Sequence, residues 1–162
     1  MQISFGSSVD YSSHGRERAQ GDDLAAVSRG DLRWYYFLGT LHISHGGTEI
    51  GPSWGWVPLF DAMYGVHQVM TFARGGPGSG RIEFTENDEF IEFRLDRDRK
   101  YLRVVPSYMG TEVSCGVDDF ITAGRKFIRD EVARVTTEYP SLAENHHVQL
   151  LRVELGLDGT GT

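Results

Sequence analysis

His42 and His45, in the run HISH, together with Glu49, are the chain's nearest approach to a metal-binding or acid–base set. On a strand, residues three apart point to opposite faces, so both histidines meet one ligand only if the chain turns between them. Gly46-Gly47 supplies a turn at that place. With Trp54 these residues outline one candidate pocket, suited to a small enzyme or a ligand-binding protein. The chain has no HExxH, no paired CxxC and no GxSxG, so no catalytic residue, metal or cofactor is assigned. Cys115 lacks a catalytic signature around it and reads as a small core residue. The glycine-rich GGPGSG, residues 75–80, follows a helical pattern and leads into a strand. A phosphate-binding loop runs in the opposite order, from strand to helix N-terminus, so this loop stops a helix instead.

A second set is electrostatic. RIEFTENDEFIEFRL, residues 81–95, alternates apolar and polar residues, which is the pattern of a half-buried hairpin. A two-residue turn at Asn87-Asp88 would pair Phe84 with Ile91 and Ile82 with Phe93. The next turn, near Asp98-Arg99, would set Leu95 against Leu102 and Phe93 against Val104. On the opposite face this register aligns Arg81, Arg94 and Arg103 and places Glu83 against Glu92. Diagonal ion pairs can offset such like-charge neighbours on a solvated face. An arginine row can also receive an anionic group through its planar fork. Glu83 and Glu92 could act as an acid–base pair only in an enclosed site, which an open sheet face does not provide. Glu83, Glu86, Asp88, Glu89 and Glu92 together make the hairpin acidic and suited to a basic partner.

These residues need a frame. QISF, residues 2–5, starts a strand, and residues 10–30 read as a long polar loop with a short helix near Asp23–Val27. Residues 31–43, DLRWYYFLGTLHI, read as a central strand covered on both faces, with TEIG pairing back after the Gly-Gly turn. Pro58 opens a helix with Leu59, Ala62, Met63, Val66, Met70 and Ala73 on one face. In the SWGWVP that precedes it, Trp56 reads as buried. After the 81–113 meander, Ser114 or Asp118 caps the longest helix and Pro140 stops it. SLAE then reads as the capping box of a last helix. Strands grouped before helices indicate an α+β domain over 1–156: one antiparallel sheet of five or six strands, with two or three helices packed on one face. Residues 157–162 read as a disordered tail.

Composition narrows the function. The chain has 162 residues, the size of one domain. Its net charge of −7 opposes a nucleic-acid binder and permits a basic protein partner. There is a single cysteine and no apolar run of signal-peptide or membrane-spanning length, so the expected setting is the cytoplasm, without membrane contact.

WVPLFDAMYGV, RIEFTENDEFIEFRL with KYLRVV, and DDFITAGRKFIRDEVARV resemble small uncharacterised actinobacterial proteins and, more loosely, immunity proteins of bacterial toxin systems. The resemblance spans roughly residues 31–139. It implies a non-catalytic protein that binds its partner through a charged surface. The reading that follows is a protein-binding module using Arg81, Glu83, Glu86, Asp88, Glu89, Glu92, Arg94 and Arg103. The alternatives are the pocket at His42, His45, Glu49 and Trp54, or a homo-oligomeric module joined through the outer sheet face. The expected state is monomer or homodimer.

Overall fold

The computed structural model describes residues 1–7, 15–18 and 21–157. Their elements run in the order β1 (Gln2–Ser7), α1 (Arg29–Tyr35), β2 (Leu38–His45), β3 (Thr48–Glu49), β4 (Val57–Pro58), α2 (Leu59–Ala73), β5 (Arg81–Glu83), β6 (Phe90–Leu95), β7 (Tyr101–Pro106), β8 (Val113–Gly116), α3 (Val117–Glu138) and α4 (His146–Glu154). The α+β class holds. The expected single sheet with helices on one face does not: among the described residues there are two antiparallel sheets of four strands each and four α-helices.

In the first sheet β2 is central. It pairs along its length with β1, and on its other edge with β3 and β4. Gly46 and Gly47, at φ 58° and 82°, make the tight turn from β2 to β3, a conformation that glycine adopts at little cost. The second sheet is the meander β5-β6-β7-β8. Ile82, Ile91, Phe93, Leu102, Val104 and Cys115 form its buried face. The expected register between β6 and β7 is present, with Leu95 opposite Leu102 and Phe93 opposite Val104. Between β5 and β6 the pairing is shifted by two residues, so Ile82 faces Ile91 and Arg81 faces Glu92. A shift of two keeps every side chain on its face, so the alternation specifies the faces of the hairpin while leaving its turn open. The loop is longer than two residues, because the Phe84 N–H donates to Glu89 O.

Helix α2 is buried on all sides from Leu59 to Val66, as befits a helix that is apolar around its whole circumference. It packs on β2, β4 and β5, and α3 packs on β1, β7 and β8, so both helices serve both sheets. They approach closely where α3 carries Gly124: a Cβ there would lie 2.8 Å from Met70 Sδ and 2.9 Å from Val66 Cγ1. At the end of α2 the N–H of Gly75 bonds Phe72 O and that of Gly76 bonds Thr71 O. This is the paired bonding of a glycine C-cap, and the chain then leads into β5.

Residues 29–35 are helical, not the start of a strand. Ser28 Oγ accepts the N–H of Asp31 at the N-cap, and Phe37, at φ 55°, reverses the chain into β2. That left-handed conformation is costly for a bulky residue. It is held because the Phe37 N–H donates to Glu17 and its carbonyl accepts from Leu59. The short helix expected near Asp23–Val27 is a turn over residues 24–26. Helix α3 is capped by Gly116, not by Ser114 or Asp118. SLAE lies in a 3-10 turn, Pro140–Glu144, and the residue that caps α4 is Asn145. Of the expected tail, residues 157–162, Leu157 packs against the core and its N–H donates to Arg152 O; the rest, and parts of the 10–30 loop, lie outside the described residues.

Candidate functional site

The outer face of the meander brings the sequence-derived residues together with a different pairing. Glu92 sits at its centre. Its carboxylate accepts from Arg94 Nη2 at 2.5 Å and lies 3.6 Å from Arg81 Nη2. The Arg94 bonds, and less strongly the charge of Arg81, hold its carboxyl below the usual range. Arg94 and Arg103 are directly opposite one another, but Arg103 turns to Glu112, donating from Nε and Nη2 at 2.8 and 2.7 Å. Arg81 also lies 4.0 Å over the Phe90 ring. The expected row of three arginines is not formed: only Arg94 and Arg103 align, while the two-residue shift sets Arg81 opposite Glu92 and diagonal to Arg94, and each of the three has a carboxylate partner. Glu83 faces Phe90, not Glu92.

Two open concavities flank Glu92. One, of about 620 Å³, is lined by Arg94, Asp96, Tyr101, Arg103, Glu112 and Ser114 among others. The other, of about 320 Å³, is lined by Arg81, Glu83, Asn87, Asp88, Glu89 and Phe90 among others. Glu89 accepts from Ser107 Oγ and so ties the hairpin to the end of β7. Glu86 accepts from Thr85 Oγ1 and from its own backbone. Among the described residues Glu83, Glu86 and Asp88 have no cationic partner.

The histidine set does not assemble in this way. His42 and His45 lie on opposite faces of β2, and the turn comes after them. Glu49 Oε1 accepts the N–H groups of Ile43 and Gly51, at 3.0 and 3.1 Å, and secures the backbone around β3. Among the described residues no three His, Cys, Asp or Glu side chains gather as metal ligands. Trp54 packs edge-on against Phe84 and Tyr108, each with ring centroids 5.1 Å away, and its Nε1 is buried without a partner. Trp56, expected in the core, is instead 49% exposed. Its neighbours Val57 and Pro58 pair with β2 and are both buried, and Trp56 stands just before that pairing, outside it.

Cys115 is a core residue, as expected. Burial pushes its thiol up to about 11, far from the range of reactive thiolates. The native protein should resist iodoacetamide near neutral pH and react fully in denaturant, with the added mass giving the readout. Ready alkylation of the folded chain would show that the site is open.

Sequence reading missed a cluster at the start of α2. Asp61, 7% exposed, sits in the first turn of that buried helix. Arg33 of α1 donates to it from Nε at 2.5 Å. Desolvation raises the Asp61 carboxyl, and Arg33 opposes that shift. Arg29 and Arg33 stack on Tyr64 at 4.8 and 5.5 Å, and Arg16 stacks on Tyr35 at 4.4 Å. The signal was present in the S-x-x-D pattern of Ser28 and Asp31, with Arg29 and Arg33 four residues apart. Those spacings are helical. Beside this cluster a concavity of about 40 Å³, lined by Arg29, Tyr64, His147, Leu150, Leu151 and Glu154, has room for little more than a water.

No family model, curated protein or solved structure matches this chain.

Proposed function

We propose that this protein is a non-catalytic, cytoplasmic protein-binding module that receives a basic or mixed-charge partner on its β5–β6 hairpin and the adjoining sheet face, in the manner of an immunity protein. The observation that carries this reading is the asymmetry of charge pairing. Arg81, Arg94 and Arg103 each meet a carboxylate of the chain itself, whereas Glu83, Glu86 and Asp88 at the hairpin meet no cation among the described residues. The uncompensated field of that face is therefore negative and localised at the tip. The net charge of −7 has the same sign. Such a field speeds the approach of a basic surface more than it strengthens the final complex.

The test begins with untagged protein from its own source, examined by native mass spectrometry for a stoichiometric second protein. Association of that partner with the Glu86→Gln/Asp88→Asn variant is then followed. Both substitutions keep the side-chain shape and leave the Glu89–Ser107 bond in place. The association rate should fall about tenfold at low salt, with a smaller change in dissociation. An association rate equal to that of the unaltered protein would sink the hairpin as the site.

A further inference from the structure

Tryptophans 34 and 56 come from different elements and reach the same end of the molecule as the hairpin tip. Helix α1 is fastened to the start of α2 by the Arg33–Asp61 bond, and Trp34 adjoins Arg33. Trp56 immediately precedes β4, which pairs with the start of β2 through Leu38–Pro58 and Gly39–Val57. The hairpin approaches along α2. The Ile82 side chain lies against Gly65, and Phe84 lies against Trp54, so residues 85–88 continue toward the α2 N-terminus and Asp61. Desolvation raises the Glu86 carboxyl, its hydrogen bonds to its own backbone and to Thr85 oppose that, and the smaller effect of the Asp61 charge accords with that path.

Trp34 and Trp56 are 44% and 49% exposed. Tryptophan, tyrosine and arginine are the residues that most often carry interface energy. The chemistry of the missing contact is written in the neighbourhood. Arginines of this chain cover Tyr35 and Tyr64 at 4.4 to 5.5 Å. Arg33 reaches Trp34 only at 5.8 Å, near the limit of such contacts. No cation lies over Trp56 among the described residues. Two of the local arginines meet carboxylates of the chain: Arg33 meets Asp61 at 2.5 Å and Arg16 lies 3.9 Å from Asp31. Arg29 stacks on Tyr64, whose ring is nearly buried. Glu86 and Asp88 have no cation among the described residues. An acidic segment would meet these carboxylates with repulsion, and a purely apolar one would desolvate them without replacement.

We infer that the partner is anchored beside the hairpin by arginine or lysine side chains that stack on Trp34 and Trp56 while Glu86 and Asp88 meet their charge. This rests on the protein-binding reading above and names the chemistry of its contact.

The three tryptophans give the experiment its reporters. The full chain, labelled with ¹⁵N, is titrated with acetyl-Arg-Leu-Arg-amide, and separately with acetyl-Glu-Leu-Glu-amide. The indole N–H signals of Trp34 and Trp56 should move saturably with the arginine peptide alone, while that of Trp54 stays in place. Trp34→Leu and Trp56→Leu should each weaken the arginine peptide about tenfold, with the unmoved Trp54 signal reporting an intact fold. If the amides of residues 85–88 move and the two indoles do not, the aromatic anchor is overturned and the acidic hairpin stands. If both peptides move the indoles alike, the preference for a cation is overturned. If nothing moves, the anchor and the basic character of the partner fall together.

Discussion

Replacing Arg33 with alanine should destabilise the protein by about 3 kcal/mol at neutral pH, and by less as the pH falls. The reason is the unequal exposure of the pair. The Asp61 side chain is 8% exposed and that of Arg33 is 30% exposed. Without Arg33 the carboxylate is left in the core with no counter-charge, whereas the reverse loss leaves a guanidinium that can turn to water. Asp61→Asn should therefore cost clearly less than Arg33→Ala. The pH dependence follows from the sign of the shift. Burial already holds the Asp61 carboxyl above its ordinary 3.8, and the Arg33 bond and charge act against that rise. Removing Arg33 lifts it further. A group raised by folding favours the folded state below its unfolded value, and that contribution is lost as pH rises through the folded value. The deficit of the variant should thus be small near pH 4 and grow toward pH 7. Urea unfolding of both variants at pH 7 and pH 5 checks this. Equal deficits at the two pH values would mean that Asp61 is already hydrated.

Asn145→Ala should cost a similar amount, about 3 kcal/mol, from a single small side chain. Asn145 is 1% exposed. Its Nδ2 donates to Leu24 O at 2.8 Å and Val27 O at 3.0 Å, and its Oδ1 accepts the His147 N–H at 2.9 Å. One amide therefore caps α4 and holds the turn before α1. Alanine removes the cap, worth ~1 kcal/mol, and strands buried carbonyl oxygen at a further 1–3, roughly. Asn145→Asp keeps the capping oxygen but aims a second acceptor at two carbonyls, and should be no milder. Calorimetry should show a midpoint lower by about 10 °C for the alanine variant. A fall of only a degree or two would mean that the Leu24–Val27 turn is held by other contacts.

The meander was legible because its signal is local. The strict alternation of residues 81–95 and 101–104 specifies faces, and the faces specify which charges share the surface. The turn chemistry was less legible. Asn87-Asp88 suits a two-residue hairpin, yet the loop is wider, and that difference replaced a Glu83–Glu92 repulsion with an Arg81–Glu92 attraction. Helix α1 was misread because Trp34, Tyr35, Tyr36 and Phe37 favour strands where nothing else intervenes. Here the Ser28 cap, the Arg33–Asp61 bond and the arginine stacks outweigh that preference. The existence of two sheets was not legible at all. It depends on how α2 is enclosed, a tertiary fact with no local pattern beyond the helix's apolar circumference. Trp56 went outward for a similar reason, since average burial says nothing of which neighbour pairs with β2.

Enclosure of α2 has a further consequence. Both sheets lean on the same helix, so neither has a core that would survive the departure of the other. Any opening that frees β5 uncovers α2, and with it the support of β2. The hairpin that carries the acidic surface and the distant β1–β2 pair thus belong to one cooperative unit. A partner that grips only the hairpin and α1 raises the free energy of unfolding for the whole chain by mass action. Its presence would be felt as slower opening in strands it never touches.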